Sequence, residues 1–133
     1  MKQHAITKEI AAADQAINAR DLVGILDFYT DDAALVVTPE LIVNGHPAIK
    51  DAHQRIADYF NGTLKVSQGR MVVIEAGDTA LVLAQTFVES PDKPDTEYPG
   101  EREAIYVYKK DAVGKWRCAI DNSYGVELLR QQT

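Results

Sequence analysis

Cysteine is nearly absent from this chain, with Cys118 the single thiol among 133 residues. One cysteine excludes an internal disulfide and a cysteine-built zinc site. Long apolar runs are missing too. No run exceeds the length of Ala33 to Val37, which falls far short of the roughly 20 residues a membrane helix needs. Basic residues are neither abundant nor clustered: 14 Lys and Arg stand against 20 Asp and Glu, a net charge of −6. Such a surface repels phosphate, so neither nucleic acid nor a membrane is expected as a partner. The opening stretch has no apolar signal core, and a cytoplasmic location is the expectation. Gly-x-Gly and Gly-x-Ser-x-Gly do not occur, which leaves no phosphate loop and no nucleophile elbow. His4, His46 and His53 are scattered without an H-x-H or H-x-x-x-H pair, so neither a metal nor a cofactor is expected.

What is present is the composition of an ordinary globular protein, 46% hydrophobic and 26% charged, in a length that suits one domain over residues 1–133. Ile6, Ile10, Ala13 and Ile17 mark one face of a first helix that ends near Ala19 and Arg20. Asp21 is placed to cap a second, shorter helix from Leu22 to Tyr29. Thr30, Asp31 and Asp32 read as a polar break. Short strands follow at Ala34–Thr38 and Leu41–Val43, and Asn44-Gly45 turns the chain. Pro47 suits the first position of a third helix, which carries Ile49, His53, Ile56 and Phe60 on one stripe and stops at Asn61-Gly62. The remainder reads as strands: Thr63–Glu75, Thr79–Glu89, Arg102–Lys110 and Lys115–Asn122, with a hairpin turn at Asp111–Gly114. Ser90–Glu101, rich in proline and acid, reads as an exposed loop.

Helices gathered early and strands late predict an α+β fold, three N-terminal helices on one face of a curved, mostly antiparallel sheet. The strand Thr79–Glu89 is apolar on both faces, with Leu81, Leu83 and Phe87 on one and Ala80, Val82, Ala84 and Val88 on the other. A sheet with a wet face should alternate polar with apolar. Three helices cover one face only, so a homodimer through the open face is expected.

Asn18-Ala-Arg-Asp21, Phe28-Tyr-Thr-Asp-Asp-Ala33, Asn44-Gly45 with Ala48-Ile49, Gly114-Lys-Trp116 and Ala119-Ile-Asp-Asn-Ser-Tyr-Gly125 together resemble SnoaL-like proteins of the nuclear transport factor 2-like superfamily. The resemblance runs from about Ile6 to Leu129. It implies a cystatin-like conical roll with a cavity between helices and sheet, usually dimeric. That superfamily holds isomerases, cyclases, dehydratases and non-enzymatic domains, so fold membership leaves the chemistry open. The tyrosine with which ketosteroid isomerases stabilise an oxyanion falls on Ala13, and their general base falls at Val37 and Thr38. Their second acid falls near Tyr106. These departures argue against steroid isomerisation by that route.

In the last hairpin the resemblance turns Arg117, Ala119 and Asp121, with Ala104, Tyr106 and Tyr108, toward the cavity. Trp116, Cys118 and Ile120, with Ile105 and Val107, are then expected on the dimer face. Asp121 in an apolar cavity would be a desolvated carboxyl fit for acid or base work; the plainer reading is an aspartate paired with Arg102 or Arg117. His53 interrupts an apolar stripe and is either a satisfied core histidine or a base oriented by Asp121. Tyr29, Tyr106 and Tyr108 are candidate hydroxyl donors to a ligand carbonyl, or rim residues with polar tips. Arg102 is a candidate partner for a ligand carboxylate, or a solvated arginine beside Glu101 and Glu103. Two functions follow from these candidates. One is a domain that holds a small, mostly apolar ligand without metal or cofactor. The other is an isomerase, cyclase or dehydratase in which Asp121 and His53 move protons.

Overall fold

The computed structural model describes residues 4–93 and 98–130. Helix α1 spans Ala5–Asn18 and buries Ile6 and Ile10, as their spacing requires. Its start is capped by the His4 side chain, which accepts from the Ile6 amide at 3.0 Å. His4 also meets Glu75 at 2.8 Å, which ties the start of the helix to the strand Lys65–Ala76. At the other end Arg20 adopts a positive φ of 58°, and the Asp21 amide closes back on the Ala16 carbonyl. The Asn18 side chain bonds both backbone groups of Val66, accepting at 2.8 Å and donating at 3.1 Å. It thereby satisfies part of an edge strand.

The second helix is shorter than expected. Asp21 caps it through the Gly24 amide at 2.9 Å, but Gly24–Phe28 forms only a 3-10 turn. Two α-helices, not three, therefore pack on the sheet among the described residues. The reason is tertiary. Tyr29 is already extended because it pairs with Cys118, 89 residues away, and strand β1 runs Tyr29–Thr38. Thr30–Asp32 thus belong to a strand, exposed where the ladder between Tyr29 and Ala34 is interrupted. The chain continues through β2 (Leu41–Asn44), α2 (His46–Tyr59), β3 (Lys65–Ala76), β4 (Thr79–Glu89), β5 (Glu101–Lys110) and β6 (Trp116–Asn122), and ends in a 3-10 turn at Gly125–Leu129.

The six strands form one sheet in the order β2-β1-β6-β5-β4-β3. Every pairing is antiparallel except β1 with β6. Helix α1 lies against β3 and reaches β6, while α2 lies against β1 and β2. The inner face is built from alternate residues of β4, with Ala80, Val82, Ala84, Thr86 and Val88 buried. Of these, Ala80, Val82 and Ala84 share one core with Ile6, Ile25 and Ile49. Leu81 and Leu83 on the outer face are 37% and 42% exposed.

The alternation expected for the last hairpin fails at one residue. Val107 pairs with Ile120 while the next residue, Tyr108, pairs with Cys118, so Ala119 is an extra residue in β6. A bulge of this kind reverses which face the following side chains occupy. Trp116 and Cys118 therefore lie in the core beside Tyr108, not on the outer face, and Asp121 still points inward. Arg117 lies on the other side and pairs with Asp27 and Asp111. Ile120 does face outward, 43% exposed. Gly125, at φ +58°, closes the end of β6 so tightly that a Cβ would sit 1.9 Å from the Glu103 carbonyl oxygen.

Candidate functional site

A pocket of about 480 Å³ opens between the two helices and the inner face of the sheet. Pockets of roughly 300–1,000 Å³ are the size that takes small molecules. Most of its wall is aliphatic or aromatic, as the apolar stripes of α1 and α2 dictate. The six candidate residues come from four elements of the chain, yet all line this one pocket: Tyr29, His53, Arg102, Tyr106, Tyr108 and Asp121. Helix α2 supplies His53 from its buried stripe, β1 supplies Tyr29 as its first residue, β5 supplies the arginine and two tyrosines, and β6 supplies Asp121 beyond the bulge. Tyr98 brings the described part of the 90–100 loop to the same pocket, where its ring meets Phe60 edge-on at 5.0 Å.

His53 and Asp121 are joined through a third residue. The Tyr29 hydroxyl donates to Asp121 Oδ2 at 2.6 Å and lies 3.0 Å from His53 Nε2. Tyr29 and His53 are 4% and 8% exposed. One hydroxyl proton serves two neighbours, so the chain has two self-consistent arrangements. With Asp121 ionised, Tyr29 donates to it and His53 donates from Nε2. With Asp121 protonated, Asp121 donates to Tyr29, which donates to Nε2 of the other histidine tautomer. His46 meets the Tyr29 carbonyl oxygen from Nε2 at 3.2 Å and helps fix the start of β1.

Burial sets the electrostatics. It pushes the Asp121 carboxyl above the usual aspartate range, opposed by the Tyr29 hydrogen bond and then by the charge of Arg102. It pulls His53 down to about 4, so the imidazole is neutral at physiological pH. Burial also raises the hydroxyls of Tyr29, Tyr106 and Tyr108 above the ordinary tyrosine value, with the Asp121 charge adding to each. All three remain protonated donors. The Cys118 thiol lines the pocket and is likewise held protonated by burial.

A second polar chain was not anticipated. Asp14, on the inner side of α1, is pushed up to about 6 by burial, opposed by Gln68 and reinforced by the charge of Asp121. Gln68 donates to the Asp14 carboxylate at 3.1 Å. Thr86 donates to Gln68 at 2.8 Å and lies 3.0 Å from the Tyr106 hydroxyl. The signal for Asp14 was available: it stands four residues after Ile10 and three before Ile17, on the buried face of the helix. Thr86 likewise interrupts an otherwise apolar inner set on β4. Arg102 donates from Nε to the Pro99 carbonyl at 2.8 Å and from Nη1 to Ser123 at 2.8 Å, and lies over the Tyr124 ring at 4.5 Å. Among the described residues no cluster of three or more side chains is arranged to hold a metal ion, and no helix is long and apolar enough to cross a membrane.

No protein-family model and no curated protein matches this sequence. Solved structures do match. A domain of unknown function with a cystatin-like fold from Nostoc punctiforme superposes with a TM-score of 0.74 at 20% identity, covering 96% of this chain and 79% of that one. Aln2 from a Streptomyces species gives 0.72 at 17% identity, covering 96% and 93%. A nuclear transport factor 2-like protein of unknown function from Pseudomonas putida gives 0.71 at 22% identity, covering 87% and 80%. The chain thus has the nuclear transport factor 2-like, cystatin-like fold.

Proposed function

We propose that the pocket is the active site of a cofactor-independent enzyme that moves protons on a small, mostly apolar carbonyl compound, in the manner of an isomerase, cyclase or dehydratase. The observation that carries this reading is the Tyr29 hydroxyl shared between His53 and Asp121 inside the pocket. Asp121 spends Oδ2 on Tyr29, and Oδ1 makes no hydrogen bond among the described residues. Ionised Asp121 takes a proton from the carbon beside the carbonyl, and burial makes it a stronger base than an ordinary aspartate. A tyrosine hydroxyl, Tyr106 or Tyr108, donates to the carbonyl oxygen as negative charge develops there. The proton gained rests on Oδ1, on the substrate side, while Tyr29 keeps its hydrogen bond to Oδ2 and His53 keeps Tyr29 in place. Return of that proton to another carbon gives an isomer, and loss of a β-hydroxyl as water gives a dehydrated product.

The test is deuterium exchange. The protein is incubated in heavy water with a panel of enolisable aryl ketones, and the protons beside the carbonyl are followed by NMR. Catalysed exchange that disappears in Asp121→Asn supports the assignment. Binding without exchange on any ketone that perturbs the protein's spectrum refutes it and favours a ligand-holding accessory domain. The absence of donor and base at Ala13, Val37 and Thr38, where ketosteroid isomerases keep theirs, favours that second reading.

We also propose that a second copy covers the outer face of the sheet. The strand registers place Ile74, Leu81, Val107 and Ile120 in one row across β3 to β6, with Val72, Leu83 and Ile105 in the next. Ile74 is 53% exposed. A continuous apolar surface of this sort marks an interaction site. A single monomeric species in sedimentation velocity at micromolar concentration would refute it.

A further inference from the structure

We infer that the molecule taken by this pocket carries a carboxylate, and that Arg102 is the residue that binds it. The inference rests on the pocket being a small-molecule site, and it adds a charged group to the mostly apolar compound described above.

The chain has six arginines. Arg55, Arg117 and Arg130 each have a carboxylate within 3.2 Å. Arg20 is exposed and donates to the Gly62 carbonyl, and Arg70 is exposed. Arg102 is the exception. It is half-buried at the pocket and has no carboxylate within 4.0 Å among the described residues. Burial is the strongest influence on its guanidinium and weakens its hold on the proton; Tyr124 is the next, and acts the other way. The charge of Asp121 reaches it, but Asp121 is committed to Tyr29 and makes no ion pair with it.

The side chain is also held in place before any ligand arrives. Pro99 fixes Nε, Ser123 fixes Nη1 and the Tyr124 ring supports the guanidinium plane. A guanidinium has five N–H donors; Pro99 and Ser123 use two of them, and the Tyr124 side chain takes a further hydrogen bond. The donors that remain lie in the plane of a fork that matches the two oxygens of a carboxylate. Holding the fork rigid beforehand removes much of the ordering cost of binding. Arg55, the other arginine at the pocket, is exposed and paired with Asp51 at 3.0 Å, so it does not offer an equivalent site. Parity explains why Arg102 faces inward: it shares the inner face of β5 with Ala104, Tyr106 and Tyr108.

The experiment compares acids with their own amides, which have nearly the same shape and no charge. Hydrocinnamic, cinnamic and benzoylpropionic acids and the three primary amides are titrated into the full chain and followed by protein NMR. The acids are expected to bind more tightly than the amides by on the order of tenfold or more, the range of a charge-assisted hydrogen bond. Arg102→Gln should abolish the preference of acid over amide, and Arg102→Lys should retain part of it. Equal affinity of acid and amide for the natural protein overturns the inference, and so does the absence of acid binding at millimolar concentration. The comparison on the natural protein needs no variant, so it stands even where a substitution unfolds the chain. Benzoylpropionic acid also has an enolisable ketone. Acid preference without deuterium exchange upholds Arg102 and removes the proton-transfer reading; exchange without acid preference does the reverse.

Discussion

Replacing Tyr29 by Phe removes one oxygen atom and keeps the ring that fills the core, so its effect isolates the shared hydrogen bond. The lost donor served a buried carboxylate at 2.6 Å. While Asp121 is ionised, losing a hydrogen bond to a charged group costs about 1.5–3 kcal/mol. When Asp121 is protonated, the loss is that of a neutral bond, about 0.5–1.5 kcal/mol. Asp121 binds its proton more firmly folded than unfolded, so its contribution to stability is full in acid and declines as pH rises through its folded value. The Tyr29 bond opposes that decline, and Tyr29→Phe makes it steeper. For 133 residues the unfolding entropy is roughly 0.28 kcal/mol per degree. The melting temperature should therefore fall by roughly 5–10 °C at a pH where Asp121 is ionised and by roughly 2–5 °C at a pH where it is protonated. Circular dichroism melts at the two pH values measure the difference, and carbon-13 NMR of the Asp121 carboxyl should show it titrating at higher pH in the variant. A destabilisation independent of pH, or an unmoved Asp121, would mean that Tyr29 does not hold the carboxylate.

Asp14→Asn removes a carboxyl whose proton affinity is raised from 3.8 to about 6 by burial; in the natural protein that group stabilises fully below 3.8 and loses up to about 3 kcal/mol as pH rises past 6. Denaturant titrations at about pH 4 and pH 8 should thus show the variant relatively more stable at the higher pH. His53 acts in the opposite sense: held down to about 4 from 6.5, it stabilises fully above 6.5 and loses about 3 kcal/mol as pH falls to 4. Its ring carbon proton should accordingly show no titration by NMR above about pH 5, and titration near the ordinary 6.5 would refute its burial. Leu83→Glu places a charge in the middle of the outer apolar rows and should convert a sedimenting dimer to monomer while leaving deuterium exchange in place. Gly125→Ala should cost more than about 3 kcal/mol or prevent folding, whereas Gly77→Ala, at a similar positive φ with nothing within 4 Å, should cost about 1–2 kcal/mol by chemical denaturation.

Periodicity alone determined much of this molecule. The stripes Ile6-Ile10-Ile17 and Ile49-His53-Ile56 give two helices with one buried face each, because a repeat near 3.6 residues keeps returning to the same side. Alternation in β4 separates Val82 from Leu83 for the equivalent reason in a strand. The same logic put His53 on a buried face and Tyr106, Tyr108 and Arg102 on one side of β5. Local pattern could not decide where β1 begins or which way β6 faces. Tyr29 is extended because it pairs with Cys118, and Ala119 is an inserted residue only relative to the register of β5. Both depend on hydrogen bonds to strands distant in sequence, as register generally does. That bulge brings Cys118 and Asp121 to the same pocket, and the position of Tyr29 joins Asp121 to His53. Asp14, Gln68 and Thr86 are each visible as polar residues on apolar faces. That they meet as one chain reaching Tyr106 is a property of α1 packing across β3, which only the tertiary structure decides, because no local pattern specifies contacts between segments this far apart in sequence.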